Sequence, residues 1–234
     1  IKDQIIEVNH DGKIKINLDY FEFQKYKKMF NQKLENLFNI NRRKKNEKLE
    51  KIHLDIAASV QKVTEEVMLK NVNSMIENYN IKNLCLAGGV ALNCVANGKI
   101  DQNSKIEKLW IQPASGDAGG SIGCALLTWY KYLDNERTTV NGSDFMKGAF
   151  LGPNFSNDTI RSYLDDRKYK YEQLSNEELP EQIADLIAGQ NVIGWFQGRM
   201  EFGPRALGSR TIIGDARSPE TQKTINLKIK YRES

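Results

Sequence analysis

The chain has 234 residues, 40% hydrophobic and 27% charged, with 34 basic against 30 acidic side chains and a net charge of +4. That is enough chain for one large domain or two modest ones with a real core, in the composition of a soluble globular protein. The near balance of charge gives no footing for a nucleic-acid partner, while a mildly basic surface suits an anionic ligand.

Three cysteines, Cys85, Cys94 and Cys124, show no CxxC spacing. They read as buried, reduced thiols, which points to a cytoplasmic location. No stretch reaches the ~18 apolar residues of a membrane span, and there is no signal-peptide pattern.

In chain order, residues 5–23 read as a hairpin, with Ile14, Ile16 and Leu18 alternating after the turn signal Asp11-Gly12. Residues 41–51 form a charge run without interleaved aromatics, which reads as a solvated face. His10 and His53 each lack a second histidine at i+3 or i+4 and read as surface or capping residues. From Leu54 to Asn78 there is neither Gly nor Pro. Ile56, Val60, Val63, Val67, Met68, Val72, Met75 and Ile76 mark one face of a long amphipathic helix, with the methionines as core filler.

A strand over 83–87, a helix over 90–100 and a strand over 108–113 continue as an α/β alternation. Between the first strand and its helix stand Gly88 and Gly89, which permit a sharp turn and close approach of a ligand. The helix that follows would aim its free N–H groups and partial positive charge at that ligand, with Asn93 beside it. The second strand repeats the device with Gly116, Gly119 and Gly120 before a helix over 119–130. Asp117 sits among these glycines. It reads either as a ligand for a divalent cation between carboxylate and phosphate or as the N-cap of the helix.

Farther on, 192–197 reads as a buried strand. Arg199, Glu201, Arg205 and Arg210 then crowd together with Gly198, Gly203, Pro204 and Gly208. Glycines and a proline between arginines suggest a shaped loop rather than a surface ion-pair lattice. Within it, Glu201 is expected to orient Arg199 or Arg205. Trp195, Phe196 and Phe202 read as core. Lys228, Lys230 and Arg232 alternate and would share one face of an extended segment.

Four segments carry a resemblance: LCLAGGVALNCVANGKI (84–100), IQPASGDAGGSIGCAL (111–126), GWFQGRMEFGPRALGSRTIIGDAR (194–217) and INLKIKYRES (225–234). They resemble the signature segments of the O-carbamoyltransferases that modify nodulation factors and antibiotics, with the third the most specific. The resemblance runs from about residue 50 to the end. It implies an α/β fold: the C-terminal part of an actin-like, sugar-kinase-type module over 1–140, like the enzymes that attach threonylcarbamoyl to tRNA, then a YrdC-like α+β module over 141–234. Both would be incomplete.

The implied chemistry starts from ATP and carbamoyl phosphate, which give carbamoyl-adenylate. A hydroxyl of a small-molecule acceptor then attacks the carbamoyl carbon and AMP leaves. Arg199, Arg205 and Arg210 would be the catalytic cations, gripping phosphate oxygens as bidentate forks and stabilising the charge of departing pyrophosphate. Gly88, Gly89, Asn93, Gly116, Gly119, Gly120, Lys228, Lys230 and Arg232 would hold nucleotide or carbamoyl-adenylate. Asp117 would ligate a divalent metal, iron or magnesium.

The sequence departs from the family pattern in three places. It has no upstream histidine pair for the metal, Ser209 stands where Asn is expected, and the last signature stops at Ser234. The chain therefore reads as the middle and later portion of a longer enzyme, inactive by itself. Three other functions share parts of the pattern: an actin-like or sugar-kinase-type phosphotransferase, a tRNA threonylcarbamoyl transferase, and a non-catalytic nucleotide-binding module. The first leaves residues 194–217 without a purpose, and the second should lack the fused second module. No nucleic-acid or membrane partner is expected.

Overall fold

In the computed structural model, which describes residues 1–9, 12–23, 28–44, 47–103, 105–138 and 144–232, the chain begins with the expected hairpin. Strands β1 (Ile6–Val8) and β2 (Ile14–Ile16) are antiparallel, with Ile6 opposite Ile16 and Val8 opposite Ile14. Leu18 leaves the strand for a 3-10 turn over Leu18–Tyr20, because the Asn17 side chain accepts from the Asp19 N–H and caps it. His10 and Asp11, at the hairpin tip, lie outside the described residues.

Helix α1 (Gln32–Phe38) is capped by Asn31 and ends at Asn39 in the left-handed region. In the charge run, Arg42 is not simply solvated. Its guanidinium lies 4.2 Å from the centre of the Phe30 ring and donates to the Phe30 carbonyl.

Helix α2 (Lys51–Tyr79) starts three residues before the expected Leu54, and the His53 Nδ1 accepts from the Glu50 N–H at its start. Asn80, left-handed at φ 51°, ends it. The apolar face is buried only in part. Val67, Val72 and Ile76 are buried, whereas Val60 and Met75 are about half exposed, so Met75 is not core filler. Val72 and Ile76 meet Ile100, with Met68, Leu84, Leu86 and Ile106 packed around them.

The α/β alternation is present. Strands β3 (Asn83–Leu86) and β4 (Lys108–Ile111) are parallel, with Leu84 opposite Leu109 and Leu86 opposite Ile111. Helix α3 (Cys94–Asn103) is the crossover that parallel strands require. One expectation is corrected here. The helix does not follow Gly88-Gly89 directly, because a 3-10 turn over Gly89–Leu92 intervenes. The cysteines are corrected as well, since all three are exposed and free. In β3 the alternation turns Leu84 and Leu86 to the core and leaves Cys85 on the other face.

The chain gathers into two compact units, Ile1–Gln112 and Pro113–Ser234. The module boundary expected at 140/141 lies outside the described residues. In the second unit, helix α4 (Gly119–Leu127) passes into a π-helical turn over Thr128–Tyr132, where a single helix was expected. Helices α5 (Asn157–Asp166) and α6 (Glu178–Ala188) follow, the first capped by Ser156.

Strands β5 (Ile193–Phe196) and β6 (Arg210–Ile213) then pair antiparallel, with Phe196 opposite Arg210. Neither face of β5 is fully buried. Trp195 is half-buried and Phe196 exposed, against the expectation of a buried strand with both as core. Helix α7 (Pro219–Thr224) starts on a proline in its first turn and runs into a π-helical turn over Ile225–Ile229. Lys228 and Lys230 therefore do not lie on one extended face, since helical residues two apart do not face each other.

The architecture is mixed α/β, with three two-stranded sheets among the described residues. No helix among them is long and apolar enough to cross a membrane.

Candidate functional site

The loop joining β5 to β6 carries Arg199 and Arg205, β6 opens on Arg210, and the loop is built around Glu201. The hairpin extends one step past the strands, where the Gln197 N–H donates to the Ser209 carbonyl at 2.7 Å. Between these residues the backbone reaches φ +62° at Gly198, +127° at Gly203 and +115° at Gly208. At Gly203 the need for glycine is twofold. Its φ lies outside the left-handed well open to other residues, and an added Cβ would stand 2.9 Å from the Pro113 carbonyl oxygen and 3.3 Å from the Ala114 Cα.

Glu201 is 1% exposed. Its Oε1 accepts from the N–H groups of Leu207 (2.8 Å) and Ser209 (2.7 Å), and its Oε2 from the Arg210 N–H (3.2 Å). The Arg210 Nε lies 3.6 Å from Oε2, an ion pair rather than a hydrogen bond. Burial, the largest single influence, pushes this carboxyl upward. The backbone N–H groups around it, its own and those of Ser209, Leu207 and Arg210, together outweigh burial and hold it below the ordinary glutamate value. Glu201 is thus an internal anion around which the loop folds.

A second segment holds the loop from outside. The Gly152 N–H donates to the Met200 carbonyl (2.9 Å), the Met200 N–H to the Pro153 carbonyl (3.0 Å), and the Phe202 N–H to the Ala149 carbonyl (2.6 Å). The sequence Leu151-Gly152-Pro153 is therefore a brace for the loop.

The three arginines separate by what they touch. Arg210 donates to the Gly203 carbonyl and faces Glu201, so its charge is met inside the loop. Arg199 donates to the Gly152 carbonyl at 2.7 Å, which ties one nitrogen and leaves its charge without an ion pair among the described residues. Arg205 is exposed and has no hydrogen bond or ion pair among the described residues. Of the arginines, the Glu201 side chain meets Arg210, and it reaches Arg205 only through the backbone.

The glycine turns differ from each other. In the first unit, Gly88 has φ +101°, and a Cβ on Gly88 or Gly89 would meet nothing within 4 Å. Asn93 caps α3, accepting from the Ala96 N–H at 3.1 Å. Its amide also exchanges two hydrogen bonds with Gln61, and Gln61 donates to Glu65. Asn93 is thereby occupied within the fold. The Asn97 amide donates to the Ala91 carbonyl at 2.8 Å. The two amides after the glycines thus hold the turn to its helices.

In the second unit, Gly119 is a packing glycine, since a Cβ there would fall 2.2 Å from the Ala114 carbonyl oxygen. Gly116 accepts from the Gly119 N–H through its carbonyl, and Gly120 has open space. Ser115, 5% exposed, leaves its hydroxyl without a partner among the described residues.

Asp117 is exposed and makes no side-chain cap to α4, so the N-cap reading is not what this loop uses. No group of three or more His, Cys, Asp or Glu side chains gathers among the described residues. The donor set here does not fit a divalent metal, which needs about three or four protein ligands in a zinc- or iron-type site. Lys228, Lys230 and Arg232 are exposed beyond α7.

Sequence reasoning missed Asp215. It is 5% exposed and receives both the Nε (2.9 Å) and Nη2 (2.8 Å) of Arg217, the Arg217 N–H (2.9 Å) and the Gln190 amide (2.7 Å). The Arg217 guanidinium is the main cause that lowers its carboxyl to about 2. An Asp followed two residues later by Arg, at a turn before Ser-Pro, was the available signal. A cavity of about 540 Å³ in the first unit, lined among others by Phe30, Phe38, Arg42 and His53, contains none of the expected site residues.

Comparison with known proteins matches the carbamoyltransferase N-terminus family model to residues 1–126 and the carbamoyltransferase C-terminus model to residues 184–234. An uncharacterized protein of Synechocystis is 50% identical over 236 residues, covering 100% of this chain and 38% of that protein. An uncharacterized protein of Methanocaldococcus jannaschii is 35% identical over 182 residues, covering 76% of this chain and 29% of its own length. The nodulation protein NolO of Bradyrhizobium diazoefficiens is 34% identical over 199 residues, covering 85% of this chain and 35% of its own. The chain thus spans less than two-fifths of the length of these curated relatives.

Proposed function

Because the chain belongs to the carbamoyltransferase family, we propose that it works as part of an ATP-dependent O-carbamoyltransferase whose anionic substrates meet the loop between β5 and β6. The observation that carries this reading is Arg205, an exposed guanidinium without a partner among the described residues, held in a loop whose backbone is fixed by a buried carboxylate. A planar fork preset in this way suits phosphate oxygens.

In the proposed reaction carbamoyl phosphate gives up phosphate with one water consumed. An oxygen of the resulting carbamate bonds to the α-phosphorus of ATP and pyrophosphate leaves. The acceptor hydroxyl then attacks the carbamoyl carbon, loses its proton and expels AMP. Arg205 serves the adenylation step by meeting charge that develops on the departing pyrophosphate. Arg199 contributes its remaining donors to the same anions, while Arg210 supports the loop from within.

Open space at Gly88, Gly89 and Gly120 leaves room for a ligand to come close to the backbone, and these positions are proposed to face nucleotide or carbamoyl-adenylate. Lys228, Lys230 and Arg232 add diffuse positive charge. Asp117 is proposed as one carboxylate of a metal site whose other ligands are not among the described residues, and no step is assigned to that metal.

The test is to incubate the natural full-length protein with ATP and carbamoyl phosphate and identify the nucleotide product. Pyrophosphate with carbamoyl-adenylate, or with AMP where water takes the place of the acceptor, is the expected result. ADP would make the protein a phosphotransferase, and no turnover of either kind would leave a nucleotide-binding module.

A further inference from the structure

Glu201 has no access to substrate. It is 1% exposed, and both of its carboxylate oxygens are already committed to N–H donors. Yet it is the anion in a loop proposed to bind anions, where an unneeded negative charge would oppose the ligand. Its placement resolves the conflict.

The three N–H groups that other residues donate to it lie C-terminal to Arg205, at residues 207, 209 and 210. On the N-terminal side the chain is held by the Met200 and Phe202 bonds to residues 149–153. Arg205 therefore stands on a short span, 203–206, anchored at both ends. Within that span Gly203 is locked against Pro113 and Ala114, and Pro204 has its φ fixed by its ring. A residue fixed in this manner offers its guanidinium with little backbone entropy left to lose on binding. The negative charge of Glu201 is in turn absorbed by the Arg210 ion pair and the amides, so it does not reach the ligand.

We infer that Glu201 is a positioning residue for the adenylation step, acting on Arg205 through the backbone of the loop. This rests on the proposed role of that loop.

The test is a double-mutant cycle in the natural full-length protein, using Glu201→Gln, Arg205→Ala and the pair together. The readouts are kcat and KM for pyrophosphate release from ATP and carbamoyl phosphate, with Tm in parallel. Glu201→Gln keeps the size and one acceptor oxygen but places donors against the Arg210 N–H. It is expected to lower kcat/KM at least tenfold, and the double variant is expected to match Arg205→Ala alone, because residues in one chain of action are not additive. A purely structural role would lower Tm, leave kcat per folded molecule unchanged and give multiplicative losses, and that pattern overturns the inference.

The two ideas fail differently. Wild-type pyrophosphate release in Arg205→Ala removes the loop from the reaction and overturns the reading beneath the inference. A damaged Arg205→Ala beside a normal Glu201→Gln overturns the inference alone. If Glu201→Gln does not fold, Glu201→Asp takes its place in the cycle with the same expectations. Failure of both to fold would make Glu201 a residue of the whole fold, which also overturns the positioning role.

Discussion

Replacing Gly203 and Gly198 by alanine, one at a time, tests whether the arginine loop is held as described. At Gly198 φ is +62°, inside the left-handed well, and an added Cβ meets nothing within 4 Å. The cost there is conformational alone, about 1 kcal/mol. At Gly203 φ is +127°, outside that well, and the Cβ falls 2.9 Å from the Pro113 carbonyl oxygen. Backbone strain of about 1–3 kcal/mol then adds to about 1–3 kcal/mol for displacing packed atoms. Amide hydrogen exchange reads the difference locally. The useful reporters are the N–H groups of Phe202, bonded to Ala149, and of Leu207 and Ser209, bonded to Glu201. At 1.4 kcal/mol per factor of ten, Gly198→Ala should cost these amides roughly fivefold in protection. Gly203→Ala should cost them roughly thirtyfold or more. Equal losses at the two positions would mean that the loop does not pack on Pro113 and Ala114, and the account of its shape would fall with that contact.

Arg205→Lys should leave Tm unchanged, since the side chain has no partner among the described residues, yet slow pyrophosphate release by the full-length protein at least tenfold, or ~1.4 kcal/mol in barrier; a normal rate would remove Arg205 from the site. Gly89→Val should weaken nucleotide binding measured by calorimetric titration while Tm holds, because the fold leaves that Cβ free space; an unchanged affinity would show that no ligand approaches there. For Asp215, with a folded value near 2 against about 3.9 for a free aspartate, the native state holds the proton less tightly than the unfolded one. Its contribution to stability is therefore complete above about pH 4 and fades as pH falls toward 2. Acid unfolding of Asp215→Asn should lose that part of the pH dependence, and a curve parallel to wild type would show that the Arg217 pair carries none of it.

The parallel pair β3 and β4 and their crossover were legible because apolar runs bounded by glycines leave few alternatives. The cysteines were misread for a reason of period. Cys85 sits between two leucines in sequence, and an apolar run looks buried throughout, but in a strand the neighbour of a core residue faces away. Lys228 and Lys230 were misplaced by the same rule applied to the wrong element. Alternation groups residues on a strand and separates them on a helix. Pro219, set just inside a helical start after Ser218, was the sign that a helix begins there.

The candidate site divides along a different line. That arginines and glycines crowd together between 198 and 210 is visible in the sequence, and so is the implication of a shaped, anion-facing loop. Which arginine is free is not visible, because the decision is made by backbone groups. Glu201 takes the amides of residues 207, 209 and 210, and Arg199 gives a nitrogen to the carbonyl of Gly152. Amide and carbonyl are the same at every residue, so no choice of side chain at 207 or 152 announces the bond. What the sequence does announce is the conformation that makes such bonds possible: glycine at positive φ at 198, 203 and 208, and proline next to the residue that must not move. Those four positions confine the backbone around Arg205, and they leave its donors without a partner among the described residues.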